Sequence, residues 1–234
     1  MSTCMLCHLS FEEVDSWATL FSLAAPDPLC SSCSDKFEKI DGERCEICSR
    51  PFSDVPGEYR EGNLCYDCVR WENDSYWQGV LKKNQSIYLY NDFAKDVISL
   101  YKFRGDYAIS SIYKTPLKKA FKTHFNPSYF IVPIPLSDER LYERGFNQAS
   151  ALAGLLDMPV HEVLARTHLE KQSKKGRTER ISGENVFRVV GEVTDKDILL
   201  IDDIYTTGST LRQAGKVLLE AGAKTVSSLT LMRG

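Results

Sequence analysis

A chain of 234 residues, 43% apolar and 26% charged, has the makeup of a globular protein with one good core and a smaller module. Its net charge of −3 excludes a polycation that grips nucleic acid through a bulk field, so any such contact needs a local basic surface. No run of about 18 apolar residues occurs, so no membrane span is expected; the N-terminus lacks the basic-then-apolar pattern of a secretory signal, which points to the cytoplasm.

All eight cysteines fall before Val69, in four Cys-x-x-Cys pairs: Cys4/Cys7, Cys30/Cys33, Cys45/Cys48 and Cys65/Cys68. Each pair directs two sulfurs at one point about 2.3 Å away, and four pairs suffice for two Cys4 zinc ions. A disulfide framework would need an oxidising compartment. A thioredoxin-like redox pair would account for one Cys-x-x-Cys but not four. Two structural zinc ions are therefore expected, in a double zinc-ribbon-like module over residues 1–70. With few apolar residues there, metal would stand in for a core. Sequential and interleaved pairing are both open; the 11 residues between Cys33 and Cys45 fit a linker between two ribbons and favour sequential pairing. All-cysteine sites leave no open position, so catalytic zinc is not expected, and His8 reads as a surface residue.

Residues 71–86 read as a linker. Trp71, Tyr76 and Trp77 lie in it, either packing one module against the next or stacking on single-stranded bases.

Residues 87–234 alternate apolar strands with helical stretches. "SIYLYND" reads as a strand. "DFAKDVISLYKF" places Phe93, Val97, Ile98 and Tyr101 on one helix face. "YFIVPIPLS" reads as a short buried strand, "FNQASALAGLLDM" as a helix and "DILLI" as a second buried strand. A helix from about Ser209 to Glu220 with Gly222 as its stop follows, then a last strand, "TVSSLTLMR". The pattern predicts an α/β domain with a parallel sheet flanked by helices. In such sheets ligands bind beyond the carboxyl ends of the strands.

There the chain reads "LLIDDIYTTGST". Gly208 permits close backbone approach, and the hydroxyls of Thr206, Thr207, Ser209 and Thr210, with the amides of a helix start, make a phosphate cradle. Asp202 and Asp203 suit a vicinal diol or a hydrated Mg²⁺. A sugar phosphate satisfies both halves. Neither a dinucleotide fingerprint nor a P-loop is present.

This stretch resembles the phosphoribosyl-pyrophosphate (PRPP) loop of type I phosphoribosyltransferases. With "VPIPLSDERLYERGFNQA", "YKFRGD" and the four cysteine pairs, essentially the whole chain resembles the ComF family. The resemblance implies that Asp202 and Asp203 hold the ribose hydroxyls and Thr206 to Thr210 the 5′-phosphate. Pro133, Ile134 and Pro135, in the loop reaching to Ser137, would approach the pyrophosphate, with a non-trans peptide bond there. Arg140 and Arg144, four apart on a helical turn, would neutralise pyrophosphate oxygens; the alternative is a solvated face paired with Asp138, Glu139 and Glu143. Mg²⁺ would accompany PRPP. Between the two site-forming strands, Arg166 to Arg180 carries six basic and two acidic side chains and reads as a loop that closes over the site. Of the family's loop pattern, Gln172 and Arg180 match, Lys175 stands at the leucine position and an asparagine comes late, at Asn185; Lys174 and Arg177 add to its basic character.

The resemblance implies displacement at ribose C1 with pyrophosphate leaving, assisted by positioning and charge rather than a covalent nucleophile. His124, His161 and His168 have no assigned role. Two functions from different classes follow. One is a PRPP-binding protein of natural competence that handles single-stranded DNA, for which the family implies a helicase-like ATPase partner, ComFA. The other is an active Mg²⁺-dependent phosphoribosyltransferase with an unidentified base acceptor and no DNA role. A structural zinc adaptor with a dead site is the least favoured. Lys102, Arg104, Lys114, Lys118, Lys119 and Lys122 would extend a DNA track or form a solvated face.

Overall fold

The computed structural model describes residues 2–12, 27–53, 55–103, 107–167 and 186–234. The cysteine-rich segment holds two small antiparallel pairs, β1 (Ser2–Thr3) with β2 (Ser10–Phe11) and β3 (Arg60–Glu61) with β4 (Leu64–Cys65). Among its described residues are also the helices α1 (Ser31–Ser34) and α2 (Tyr66–Asn73). The main sheet is built from β5 (Asn84–Leu89), β6 (Phe130–Pro133), β9 (Asp197–Tyr205) and β10 (Thr225–Arg233). Its order is β5-β10-β9-β6, with every pairing parallel. A short antiparallel pair, β7 (Leu164–Arg166) and β8 (Phe187–Val189), stands beside it.

Strand alternation divides the core in two. Leu199 and Ile201 of β9 enter one cluster, Ile198 and Leu200 the other, as expected of a strand buried on both faces. On the first face pack α3 (Asp92–Phe103), the 3-10 stretch Tyr107–Tyr113, α4 (Lys114–His124) and α6 (Gln148–Gly154). Helix α3 covers the span expected from the Phe93, Val97, Ile98 and Tyr101 spacing. It begins where Asn91 Oδ1 accepts the Ala94 amide at 2.8 Å, a side-chain cap. On the second face lies α7 (Ser209–Glu220), which contributes Leu211, Ala214 and Leu218.

The cysteine segment has few apolar residues of its own, yet it does not stand apart. Cys4 and Cys33 are buried in the cluster of the first face, with Phe37 and Tyr88. Cys45, Cys48, Cys65 and Cys68 are buried in the cluster of the second. Between them the chain crosses the outer edge of β5: Ile40 donates to Ile87 O at 3.1 Å and Leu89 to Glu38 O at 2.8 Å. The edge strand is thereby covered, which removes a row of open backbone groups.

Candidate functional site

The cleft opens where one strand stops early. Strand β6 follows β9 only as far as the Pro133–Ile201 pairing, and Ile134 then donates to Ile201 O at 3.0 Å. Strand β9 runs on, held by β10 alone, to the Tyr205–Arg233 pairing. The strand read as ending at Ile201 therefore carries both aspartates within it, on alternate faces, and both line the opening beyond the end of β6.

Asp202 and Asp203 line a cleft of about 230 Å³ together with Lys102, Arg140, Arg144 and Arg166. Asp203 is 8% exposed and forms an ion pair with Lys102, from the last turn of α3. Asp202 Oδ1 accepts the Asp203 amide at 2.9 Å. Burial, reinforced by the Asp203 charge, pushes the Asp202 carboxyl up to about 7. A carboxylate under such strain is relieved by hydroxyl donors or a cation, the groups a ribose diol and its metal would bring.

The next five residues make the anion end. Gly208 sits at φ 78° and α7 starts immediately after it, so that backbone amides and the positive end of the helix face outward. A Cβ at Gly208 would lie 2.2 Å from Tyr205 Oη and 2.5 Å from Arg212 Nη1, so this position excludes any side chain. Thr206 and Thr210 line the cleft, while Gly208 and Ser209 line a small recess beside it. Thr207 faces a separate pocket of about 580 Å³ with Arg70, Trp71 and Asp74; its hydroxyl accepts the Ser209 amide at 3.3 Å.

The opposite wall comes from the "PIPLSDERLYERGFNQ" stretch. Ser137 caps α5 (Asp138–Arg144), accepting the Arg140 amide, and Gly145 ends the helix in the left-handed region at φ 76°. Phe146 then packs against Tyr101 and Tyr107. Asn147 caps α6 and donates to Ile134 O at 3.1 Å, holding the 133–137 loop. Gln148 accepts from Arg144 at 3.0 Å, and Ile134 and Pro135 line the cleft. Pro133 faces a neighbouring pocket instead. The non-trans bond implied for this loop is absent: no peptide bond among the described residues is cis, and the Ile134 amide extends the ladder to Ile201.

Lys102 and Arg166 line the cleft, whereas the sequence offered them only as part of a basic track and as the first residue of the closing loop. Arg166 ends β7, donates to Pro135 O at 3.2 Å, and has its guanidinium pulled down by burial and by the Arg140 charge. Cations crowded against one another in this way favour a polyanion between them. Of the loop residues, Gln172, Lys174, Lys175, Arg177 and Arg180 lie outside the described residues. Thr167 donates to Val186 O at 3.0 Å, so the β7–β8 pair brings the flanks of that segment to the rim of the cleft. His161 stacks on Phe130 and His124 offers its carbonyl to Lys83; neither lines the cleft.

The cysteines form two groups in sequential order, Cys4, Cys7, Cys30, Cys33 and Cys45, Cys48, Cys65, Cys68, with the sulfurs of each within 4.8 Å of one another. Tetrahedral zinc–thiolate bonds of about 2.3 Å set sulfurs about 3.8 Å apart. The Cys7–Cys30 and Cys48–Cys65 separations, 3.8 and 3.5 Å, fit that geometry, so both groups suit a metal ion.

The chain resembles known proteins over nearly its whole length. A phosphoribosyl transferase domain profile matches residues 141–234. Competence protein ComFC of Bacillus subtilis is 42% identical over 98% of this chain and 94% of its own length. That of Streptococcus pneumoniae is 35% identical over 98% and 99%. DNA utilization protein YhgH of Escherichia coli O157:H7 is 33% identical over 44% of this chain and 48% of its own.

Proposed function

The chain belongs to the ComFC family of competence proteins, and from that premise we propose that it binds PRPP and acts in DNA uptake through the handling of single-stranded DNA. The observation that carries the reading is one cleft with a diol-acceptor end and a polyanion end. Asp202 and Asp203 would take the ribose 2′- and 3′-hydroxyls. The loop from Thr206 to Thr210 would take the 5′-phosphate, through its amides and the hydroxyls of Thr206, Ser209 and Thr210, while Thr207 shapes the turn by accepting the Ser209 amide. Arg140, Arg144 and Arg166 would surround the pyrophosphate. Asp202 and Asp203 are the carboxylates that would help hold Mg²⁺, which would supply charge stabilisation for the pyrophosphate. Each Cys4 group would hold a structural zinc ion. The DNA half rests on the relatives named for competence and DNA utilization and on Lys114, Lys118, Lys119 and Lys122, which follow one another along α4.

The second reading, an active phosphoribosyltransferase, is favoured by the number of cations. One phosphodiester needs a single counter-charge, whereas three arginines converge here beside the Lys102–Asp203 ion pair, as a pyrophosphate leaving group requires. Its C1–oxygen bond would break as a bond from the acceptor forms and the acceptor gives up its proton.

Calorimetric titration of PRPP with Mg²⁺ into zinc-replete protein tests the binding, for the wild type and for the Asp202→Asn, Asp203→Asn double variant, each with and without a short single-stranded oligonucleotide. Binding by the wild type alone supports the sugar assignment, and competition by the oligonucleotide supports a shared DNA site. Failure of the wild type to bind at millimolar PRPP refutes it.

A further inference from the structure

We propose that the second cysteine group positions the phosphate loop, through Arg233 and Trp71, so that metal in that group and sugar phosphate in the loop strengthen each other's binding. The proposal rests on the sugar-phosphate reading above and concerns how that site is held in shape.

The loop that carries Thr206 to Thr210 has a floor, and the second cysteine group supplies much of it. Arg233, 4% exposed at the end of β10, reaches in two directions. Its Nη2 lies 3.5 Å from Cys48 Sγ, while its Nη1 donates to Tyr205 O at 3.3 Å and Thr206 O at 3.1 Å. One guanidinium thus joins a candidate metal ligand to the last residue of β9 and the first residue of the loop. The second link starts from α2, the helix that carries Cys68. Three residues beyond that cysteine, Trp71 donates from its indole Nε1 to Thr207 O at 3.2 Å. Its ring lies 4.8 Å from the guanidinium carbon of Arg212. Arg212 is fully buried, bonds Tyr205 Oη at 2.7 Å and fills the space under Gly208. The carbonyls of Tyr205, Thr206 and Thr207 are therefore held by Arg233, which touches Cys48, and by Trp71, from the helix of Cys68.

The coupling has a charge component. Four thiolates around a divalent ion carry a formal charge of −2, and Arg233 is a buried cation beside one of them. With metal present the guanidinium has its counter-charge and stays where it aims at the loop carbonyls. Without metal it loses that counter-charge and its reason to remain buried. Linkage then requires the converse: a ligand that orders the loop also holds the metal. The first cysteine group lies in the core of the other sheet face, beside Phe37 and Tyr88. The proposal is therefore asymmetric: one metal group senses the ligand and the other does not.

The test uses the full chain with both groups loaded. Zinc transfer to a chromogenic chelator is followed with and without Mg²⁺–PRPP, and a cadmium-substituted sample is examined by cadmium NMR, with each resonance assigned through its cysteine protons. The expected result is that PRPP slows metal release from the second group by about fivefold or more, the lower range for coupled sites, and moves that resonance alone. Arg233→Met should abolish this protection and weaken PRPP binding by about tenfold, whereas Arg233→Lys should restore part of both. If PRPP binds yet protects neither group, or both equally, the positioning role is overturned while the sugar-phosphate reading stands. If PRPP does not bind the wild type by calorimetry, that reading fails and the coupling with it. Should Arg233→Met not fold, the wild-type release rates still decide.

Discussion

Replacing Asp202 by asparagine should make the ligand-free protein more stable at pH 8, even as it removes a ribose contact. The carboxyl is held at about 7 against its ordinary 3.8, because burial and the neighbouring Asp203 disfavour its charge. The folded state therefore keeps a proton that the unfolded chain has released. Stability falls as pH rises from about 4 to 7, and above 7 the full cost is present. About three pH units at 1.36 kcal/mol each set a ceiling of about 4 kcal/mol. Relaxation of the cleft and the Lys102 charge close by reduce the expected gain to about 1–3 kcal/mol. Asparagine keeps an oxygen for the Asp203 amide, so the local fold has no reason to change. Urea unfolding of the zinc-replete proteins at pH 8 and pH 4.5 measures it: the variant should unfold at higher urea at pH 8, and the gap should shrink to about a quarter at pH 4.5. A variant that is less stable at both values, or whose advantage does not vary with pH, would show that Asp202 is not destabilised by its own charge.

Other expectations follow from the same geometry. Over pH 6 to 8, PRPP affinity should rise with a midpoint near 7 as Asp202 ionises, and in Asp203→Asn the midpoint should move lower; a flat calorimetric profile contradicts this. Arg140→Ala or Arg166→Ala should weaken PRPP by about 10- to 100-fold, the loss expected for a charge-assisted hydrogen bond, yet leave ribose 5-phosphate nearly unaffected. Comparable losses for both ligands would place these arginines at the wrong end. Gly208→Ala combines a positive φ with a Cβ driven into Tyr205 and Arg212, and should cost about 2–3 kcal/mol in thermal melts. Chelation of metal should lower the unfolding temperature of the whole chain in one calorimetric transition, since the cysteines are buried in both core clusters. An unshifted main transition beside a separate small one would count against that shared core.

The sequence disclosed those features whose parts lie close together along it. The Cys-x-x-Cys pairs, the acid pair with its hydroxyl loop, and the helix over Asp92–Phe103 each fit within a few turns of chain, and their chemistry or period is visible locally. Asn147 and Gln148 were in plain view within "ERGFNQ", but nothing in the string says that one ties down Ile134 and the other holds Arg144. Lys102 and Arg166 were visible only as members of basic stretches, with nothing local to single them out as partners of the aspartates and of Pro135. Each becomes a site residue only because α3 and β7 end at the same rim of the sheet. Trp71 was legible as an aromatic with two possible uses; the structure shows it packed on Arg212 and bonded to Thr207 O while it also lines an open pocket. The strand through Asp202 and Asp203 was read too short, because two charges ordinarily mark the end of a buried run. Pairing with β10 on one side carries it four residues further.

The position of β10 in the sheet has a consequence for how the protein is made. This strand lies between β5 and β9, yet it is the last of them to leave the ribosome. Until it does, β5 and β9 have no neighbour to share, and Cys48 has no Arg233 beside it. The thiols are thus synthesised first and enclosed last. Throughout elongation they stand open to metal, to oxidants and to one another, and the two groups must sort their eight sulfurs before the surroundings that bury them exist. An early metal ion that closes each group in sequential order would keep the wrong sulfur pairs from meeting while the rest of the chain arrives.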